Sequence, residues 1–197
     1  MVLDFKQIYS DSWSTFKKNW WEYITVTIIM GLLSIIPFIG GILQLFMYFL
    51  VLNAILKSVK GEDISFSNFF KFKEITNQKV ITIFVIIVIF GLLIQAMSDN
   101  TTAAIIISLA TFVLTVLFFP IFCVMLDKNL DVKSTFINSF DLTKGARIDI
   151  LIIMVLNFII GILGIILLFI GIFVAIPVIT ISSVFTYKTL QIKAENI

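Results

Sequence analysis

The sequence predicts an all-α membrane protein, a polytopic bundle of six transmembrane helices in three hairpins, each preceded by a short interfacial amphipathic helix. Two observations lead to this prediction. The chain is 60% hydrophobic with a mean hydropathy of +1.13, far above what a soluble domain carries. In addition, all 14 basic residues fall in four short segments that are separated by long apolar blocks without Lys or Arg.

The apolar blocks run from Tyr23 to Leu56, from Val80 to Leu126 and from Asp149 to Tyr187, and Asp99 is the only charge within them besides Asp149 at an edge. Even the shortest block, at about 34 residues, would be about 51 Å long as one helix, whereas the hydrocarbon core is about 30 Å thick. An odd number of crossings would place alternate basic loops on opposite sides, although short basic loops tend to stay in the cytoplasm. We therefore predict two crossings per block, with both termini cytoplasmic, in a single integral membrane domain over residues 1–197 of the cytoplasmic membrane.

The first block predicts a helix from Trp20 to Ile36 and a second from Ile42 to Leu56. Pro37, Gly40 and Gly41 stand between them, and proline with paired glycines is typical of a turn. The other two blocks give four helices in the same way: Val80 to Met97, Thr102 to Leu126 with Pro120 near its end, Ile148 to Leu167, and Gly171 to Leu190 with Pro177 inside it.

A short signal precedes each block, in the form Ser14-Thr-Phe, Ser67-Asn-Phe and Ser134-Thr-Phe. Its regular placement predicts a threefold internal repeat over approximately residues 1–60, 61–130 and 131–197. Around each signal, aromatic residues recur at helical spacing beside lysines, which predicts short helices that lie in the inner membrane interface. These helices either anchor the hairpins or bind anionic lipid headgroups. The candidate lipid-interface residues are Trp13, Phe16, Lys17, Lys18, Trp20, Trp21, Phe69, Phe70, Lys71, Lys73, Phe136 and Phe140.

The residue inventory argues against catalysis. The chain has no histidine and one cysteine, Cys123, and the predicted membrane core lacks acids and bases, so the groups that relay protons or bind metals are missing. The acidic residues Asp127 and Asp131 are expected to be solvated in a cytoplasmic loop. The net charge of +2 makes nucleic acid an unsuitable partner. We therefore expect no enzyme activity, no cofactor and no metal.

Four amides stand out in the predicted core because an amide in hydrocarbon needs a partner on another helix or in water. One interpretation is interhelical bonding that holds the bundle together. The other is a polar path or binding pocket. The four are Gln44, Asn53, Gln95 and Asn157.

The last hairpin carries the run Gly161-Ile-Leu-Gly164, then Gly171-Ile-Phe-Val-Ala-Ile-Pro177 and Tyr187, and the amino terminus carries Phe16-Lys-Lys-Asn-Trp20. With these motifs the chain resembles a broad group of poorly characterised prokaryotic six-helix membrane proteins. That group is similar to the membrane domain fused to some bacterial glycerophosphodiester phosphodiesterases. Since the sequence has no soluble phosphodiesterase domain, the resemblance implies the membrane fold, no phosphodiesterase activity and no site residue.

Two functions compete at this point. The first is a non-enzymatic accessory or immunity-type membrane protein that interacts with lipid, with a membrane protein partner or with further copies of itself. Interfacial aromatic and basic residues beside an uncharged core favour it. The second is a small transporter or channel, or a substrate-binding membrane subunit, for an uncharged or lipidic substrate, which would use the amides of the core.

Overall fold

The structure, a computed structural model, describes residues 3–36, 40–62, 66, 69, 82, 85, 101–128, 130–167 and 170–195. The regular structure in these ranges is helical, as predicted. Its helices are α1 (Phe5–Lys18), α2 (Trp20–Ser34), α3 (Gly40–Val59), α4 (Thr101–Leu117), α5 (Ile121–Lys128), α6 (Val132–Thr143), α7 (Arg147–Ile166) and α8 (Ile172–Glu195).

Within the described ranges, the helices α3, α7 and α8 are each long and apolar enough to cross a membrane. The helices α4 and α5 together make a fourth candidate, if the bent pair is one span. The apolar helix α2 has 15 residues and is shorter than the about 20 that a span needs. The predicted helix from Val80 to Met97 lies almost entirely outside the described residues. Helices long and apolar enough to cross a membrane are thus confirmed among the described residues, while the six-span, three-hairpin layout stays a prediction.

The helix predicted from Thr102 to Leu126 is broken. It ends at Leu117 and resumes at Ile121 as α5 with a bend of 42°. Pro120 stands at this break and explains it, because proline lacks a backbone N–H and its ring clashes with the preceding turn. Pro177, by contrast, lies within α8, as predicted.

Helix α8 is the centre of the assembly, since it packs against α1, α2, α3, α6 and α7. One apolar core gathers α2, α3, α5 and α8 around fully buried residues such as Phe49, Ile55 and Val184. A second core joins α1, α7 and the end of α8 through Ile8, Ile150 and Leu190. The two ends of the chain therefore meet.

Two glycines let α7 and α8 approach closely where they join. A Cβ atom at Gly164 would lie 2.9 Å from Cβ of Ala175, and one at Gly171 would lie 2.7 Å from the carbonyl oxygen of Gly164. Both distances are below van der Waals contact. Small residues at such a crossing allow dense helix packing in a membrane, where no hydrophobic effect drives helices together.

The helices α1 and α6 begin with the same kind of cap. The side chain of Asp4 accepts a hydrogen bond from the backbone N–H of Gln7, and that of Asp131 accepts one from the N–H of Ser134. An aspartate at this position satisfies one of the N–H groups that a helix start leaves open. Hydrogen bonds from the side chain and the backbone N–H of Ser134 lower the pKa of Asp131. Asp131 is exposed, as expected for a loop residue.

Candidate functional site

Asn157 is the predicted amide with the clearest partners. Its Oδ1 atom accepts hydrogen bonds from the hydroxyl of Tyr9 at 2.8 Å and from Oγ of Ser182 at 3.0 Å. Burial raises the pKa of Tyr9 to about 12, so its phenol remains a neutral donor at physiological pH. The amide thereby joins α1, α7 and α8, and this geometry matches the interhelical-bonding interpretation.

The side chains of Asp127, Lys60, Tyr187 and Gln191 form a polar cluster, the Asp127 cluster, at one end of α3 and α8. Lys60 makes an ion pair with Asp127. The Tyr187 hydroxyl donates to Oδ2 of Asp127 at 2.8 Å, and Nε2 of Gln191 donates to the same atom at 3.2 Å. Only 10% of the Asp127 side chain is exposed, so the expectation of a solvated loop residue is wrong. Asp127 is the last residue but one of α5, and its carboxylate points towards Tyr187 and Gln191 of α8.

An open, mostly apolar groove lies between α2, α3 and α8, at their other end. It has a volume of about 660 Å³, within the range of roughly 300–1,000 Å³ typical of small-molecule sites. Its lining consists, among the described residues, of Thr27, Met30, Gly31, Gly41, Gln44, Leu45, Tyr48, Ile172, Phe173 and Ile176.

Two polar side chains in the groove are not used by the fold. Gln44 and Tyr48 are four residues apart on α3, so both lie on the same side of that helix. Within the described ranges, no residue forms a hydrogen bond with the Gln44 amide or with the Tyr48 hydroxyl, and the ring of Tyr48 is held edge-on by Phe122. The hydroxyl of Thr27, also in the lining, is already bonded to the carbonyl oxygen of Tyr23 at 2.8 Å.

The groove combines apolar walls with two convergent polar groups. Such a site can hold an apolar ligand and fix its orientation through one carbonyl, ester or hydroxyl group. In the part of the chain that the structure describes, no three His, Cys, Asp or Glu side chains come together in a way that could hold a metal. Cys123 is buried and unpaired.

The other two predicted amides give less information. Asn53 is half-buried in α3 and has an interaction partner. Gln95 lies outside the described residues. The structure thus places Asn157 in a structural junction and Gln44 in an open groove, and it does not bring the two together.

The predicted lipid-interface residues that the structure describes separate into three groups: exposed, half-buried and buried. Trp13, Trp20 and Trp21 have exposed rings, and Lys17 and Lys18 are exposed as well. Phe136 and Phe140 are half-buried and pack against Phe118. Phe70, Lys71 and Lys73 lie outside the described residues.

Phe16 and Phe69 are buried in the protein, with 4% and 0% of their surface exposed, and do not face lipid. Phe16 stacks on Tyr23 at a ring distance of 6.1 Å, and Phe69 meets Tyr23 edge-on at 5.9 Å. The buried side of α1 also contains Ser12. The aromatic spacing correctly indicated a helix, but it could not distinguish a face that meets protein from one that meets lipid.

The groove itself was found only in part from the sequence. Gln44 was singled out as a polar residue in an apolar helix, whereas Tyr48 was not. Its position one turn after Gln44 is the signal that could have found it. No protein-family model, curated protein or solved structure matches the chain. The resemblance to the phosphodiesterase-associated membrane domains therefore stays a prediction.

Proposed function

We propose that this chain is a non-enzymatic integral membrane protein that binds a lipid-like ligand in the groove between α2, α3 and α8. The observation that carries the proposal is the pair of polar groups, on Gln44 and Tyr48, that no described residue satisfies within an otherwise apolar surface. A polar group without a hydrogen-bond partner is unfavourable where it meets hydrocarbon rather than water. A ligand carbonyl or hydroxyl would satisfy the pair.

The remaining lining specifies the rest of the ligand. Met30, Phe173 and Ile176 offer an apolar wall, and no charged side chain is part of the lining described above. An alkyl chain fits this wall, because on entering the groove it exchanges contacts with lipid tails for contacts with apolar side chains. The polar group of the ligand then decides how the ligand is oriented. We therefore expect the ligand to be a neutral lipid, or the uncharged part of a lipid, with an alkyl chain that carries one ester, carbonyl or hydroxyl group.

The test is to purify the protein in lipid nanodiscs and identify by native mass spectrometry the lipid that remains bound after transfer to detergent. We expect a bound lipid in the wild-type protein. Removing both polar groups in Gln44→Leu/Tyr48→Phe should lower its retention about tenfold, because two hydrogen bonds of about 0.5–1.5 kcal/mol each are lost. Equal retention by both proteins would refute the role of these groups.

The membrane arrangement that we propose has six spans in three hairpins, both termini in the cytoplasm, and the groove in the outer half of the cytoplasmic membrane. Its support is the clustering of basic residues described above. A cysteine placed at Asn100 in a Cys123-free background should react with a membrane-impermeant thiol reagent in intact cells. One placed at Lys144 should react only after lysis, and labelling of Lys144 in intact cells would reject the arrangement.

Transport of an uncharged or lipidic substrate is the second candidate. A narrow cavity of about 20 Å³ lies beside the groove, shares Tyr48 and Ile176 with its lining, and reaches Thr180. A path through the protein would still have to pass the Asp127 cluster. Flux of neutral solutes or lipids in proteoliposomes would support transport, and no flux across a broad panel would leave binding alone.

A further inference from the structure

We infer that the turn between α6 and α7 is a binding site for the phosphate of an anionic membrane lipid. Lys144, Arg147 and Lys193 gather there from two parts of the chain. Nζ of Lys193, near the end of α8, lies 4.0 Å from the point that a Cβ on Gly145 would occupy. Nζ of Lys144 and Cζ of Arg147 lie 5.5 and 4.8 Å from the centre of the Phe140 ring. None of these three residues is in the sequence-predicted lipid-interface set.

The conformation of the turn brings these cations together. Gly145 has a positive φ of +76°, a left-handed conformation that glycine adopts without strain. The chain reverses there between the end of α6 at Thr143 and the start of α7 at Arg147. Helix α7 has no side-chain cap on its first N–H groups, so these donors and the positive end of the helix dipole face the same turn.

The charges at the turn are incompletely balanced. Asp141 pairs with Lys144 at 2.6 Å, and the carboxylate of Asp149 accepts a hydrogen bond from the backbone N–H of Leu3 at 3.1 Å. Among the described residues, no carboxylate forms an ion pair with Arg147 or Lys193. No described atom accepts a hydrogen bond from Nε of Arg147, which is buried against the protein. The three cations thus face two carboxylates that already have partners.

The surface next to the turn points to a lipid rather than a soluble anion. Helix α7 is a candidate span that begins at this turn, so the turn lies at the depth of the headgroups. Ile148, 77% exposed, and then Leu151 and Val155 form an exposed apolar stripe that runs along α7 away from the cations. A phosphate at the turn would place its acyl chains along this stripe, and Arg offers two parallel donors to a phosphate.

The inference does not depend on the groove, because the two sites share no residue and recognise different chemistry. The Gln44→Leu variant should therefore leave the preference for anionic lipid unchanged. In the same way, losing the cations should leave ligand retention in the groove unchanged. Each proposal can fail while the other stands.

The experiment titrates the purified full chain, in neutral detergent, with phosphatidylglycerol, phosphatidylcholine or inorganic phosphate, and measures binding by native mass spectrometry. We expect tighter binding of phosphatidylglycerol than of phosphatidylcholine. Each cation near a membrane surface contributes about fivefold in affinity, so Lys144→Gln/Arg147→Gln/Lys193→Gln should weaken phosphatidylglycerol binding more than tenfold.

The matched control is Lys6→Gln/Lys128→Gln/Lys133→Gln, which removes the same charge from exposed positions of α1, α5 and α6 and should keep phosphatidylglycerol affinity within about twofold. An equal loss in both triple variants would overturn the inference in favour of general surface charge. Competition by millimolar inorganic phosphate as strong as that by the lipid would overturn it in favour of a soluble anion. The single variant Lys193→Gln tests the same site with little risk to folding. We expect it to weaken phosphatidylglycerol binding about fivefold, and an unchanged affinity would also count against the site.

Discussion

The two ends of α3 and α8 differ in how their polar groups are used. At the Lys60 end, Asp127 has three partners, and one of them, Tyr187, is fully buried. At the Gly40 end, Gln44 and Tyr48 border an open groove of about 660 Å³, and their amide and hydroxyl groups have no hydrogen-bond partner among the described residues. About 24 Å of α3, at 1.5 Å per residue, separates Gln44 from Lys60.

This difference teaches a way to separate structural from functional polar residues in a membrane protein. A polar group that the fold satisfies stabilises the packing of its own helices. A polar group that the fold leaves open beside a cavity is available to a ligand. We expect substitutions at the first kind of site to change the free energy of unfolding, and substitutions at the second kind to change ligand binding.

The largest effect on stability should come from Asp127→Ala. The variant leaves the buried Tyr187 hydroxyl and the Gln191 amide without their acceptor, and Lys60 without its counter-ion. We expect the free energy of unfolding to fall by about 2–3 kcal/mol, measured by denaturation of the purified protein in detergent. Asp141→Ala, the control, breaks the exposed pair with Lys144 and should lower it by less than about 1 kcal/mol. Similar losses of unfolding free energy in the two variants would show that the Asp127 cluster stabilises the fold no more than an exposed ion pair does.

Packing should show a similar contrast between the α7–α8 junction and the groove. In Gly171→Ala the new methyl group would meet the backbone of Gly164, which cannot move aside easily, so we expect a loss of about 1–3 kcal/mol in unfolding free energy. Gly31→Ala is the matched change in the groove, where a Cβ has no neighbour within 4 Å. It should alter stability by less than about 0.5 kcal/mol. A loss at Gly31 as large as at Gly171 would mean that the groove is closed.

The amides should give a smaller contrast of the same kind. Asn157→Leu removes the acceptor shared by Tyr9 and Ser182, and we expect a loss of about 0.6–1.7 kcal/mol. The loss is limited because both hydroxyls also contact backbone carbonyls. Gln44→Leu should leave stability unchanged or raise it slightly, since leucine suits hydrocarbon better than an amide, while it lowers ligand retention. These two expectations are checked by measuring the thermal unfolding and the bound-lipid content of both variants.

The sequence was sufficient to predict the apolar helices. The predicted helix from Ile42 to Leu56 is observed as Gly40–Val59, and that from Ile148 to Leu167 as Arg147–Ile166. These positions depend on local composition and on turn residues, which a sequence shows directly. The bend at Pro120 has a local cause too, although the predicted helix from Thr102 to Leu126 ran through this proline without a break.

The contacts between distant residues could not be predicted in this way. Tyr9 bonds to Asn157, and Asp127 to Tyr187, pairs whose members are far apart in the chain. Helical periodicity shows which residues share a face of a helix, but not which other helix covers that face. For this reason Phe16 was assigned to lipid and Asp127 to solvent, and the partner of Asn157 was left open. The groove, too, exists only once α2, α3 and α8 are placed side by side.

The most direct test of the account is to fill the groove. Gly31→Phe adds a ring where a Cβ meets nothing within 4 Å, so it should occupy the groove without disturbing the Asp127 cluster. Ile105→Phe, at an exposed position of α4, is the control. Native mass spectrometry should show at least a tenfold loss of the retained neutral lipid in Gly31→Phe, with unfolding unchanged, and wild-type retention in Ile105→Phe. Undiminished lipid in a folded Gly31→Phe protein would contradict the assignment of the groove as the binding site.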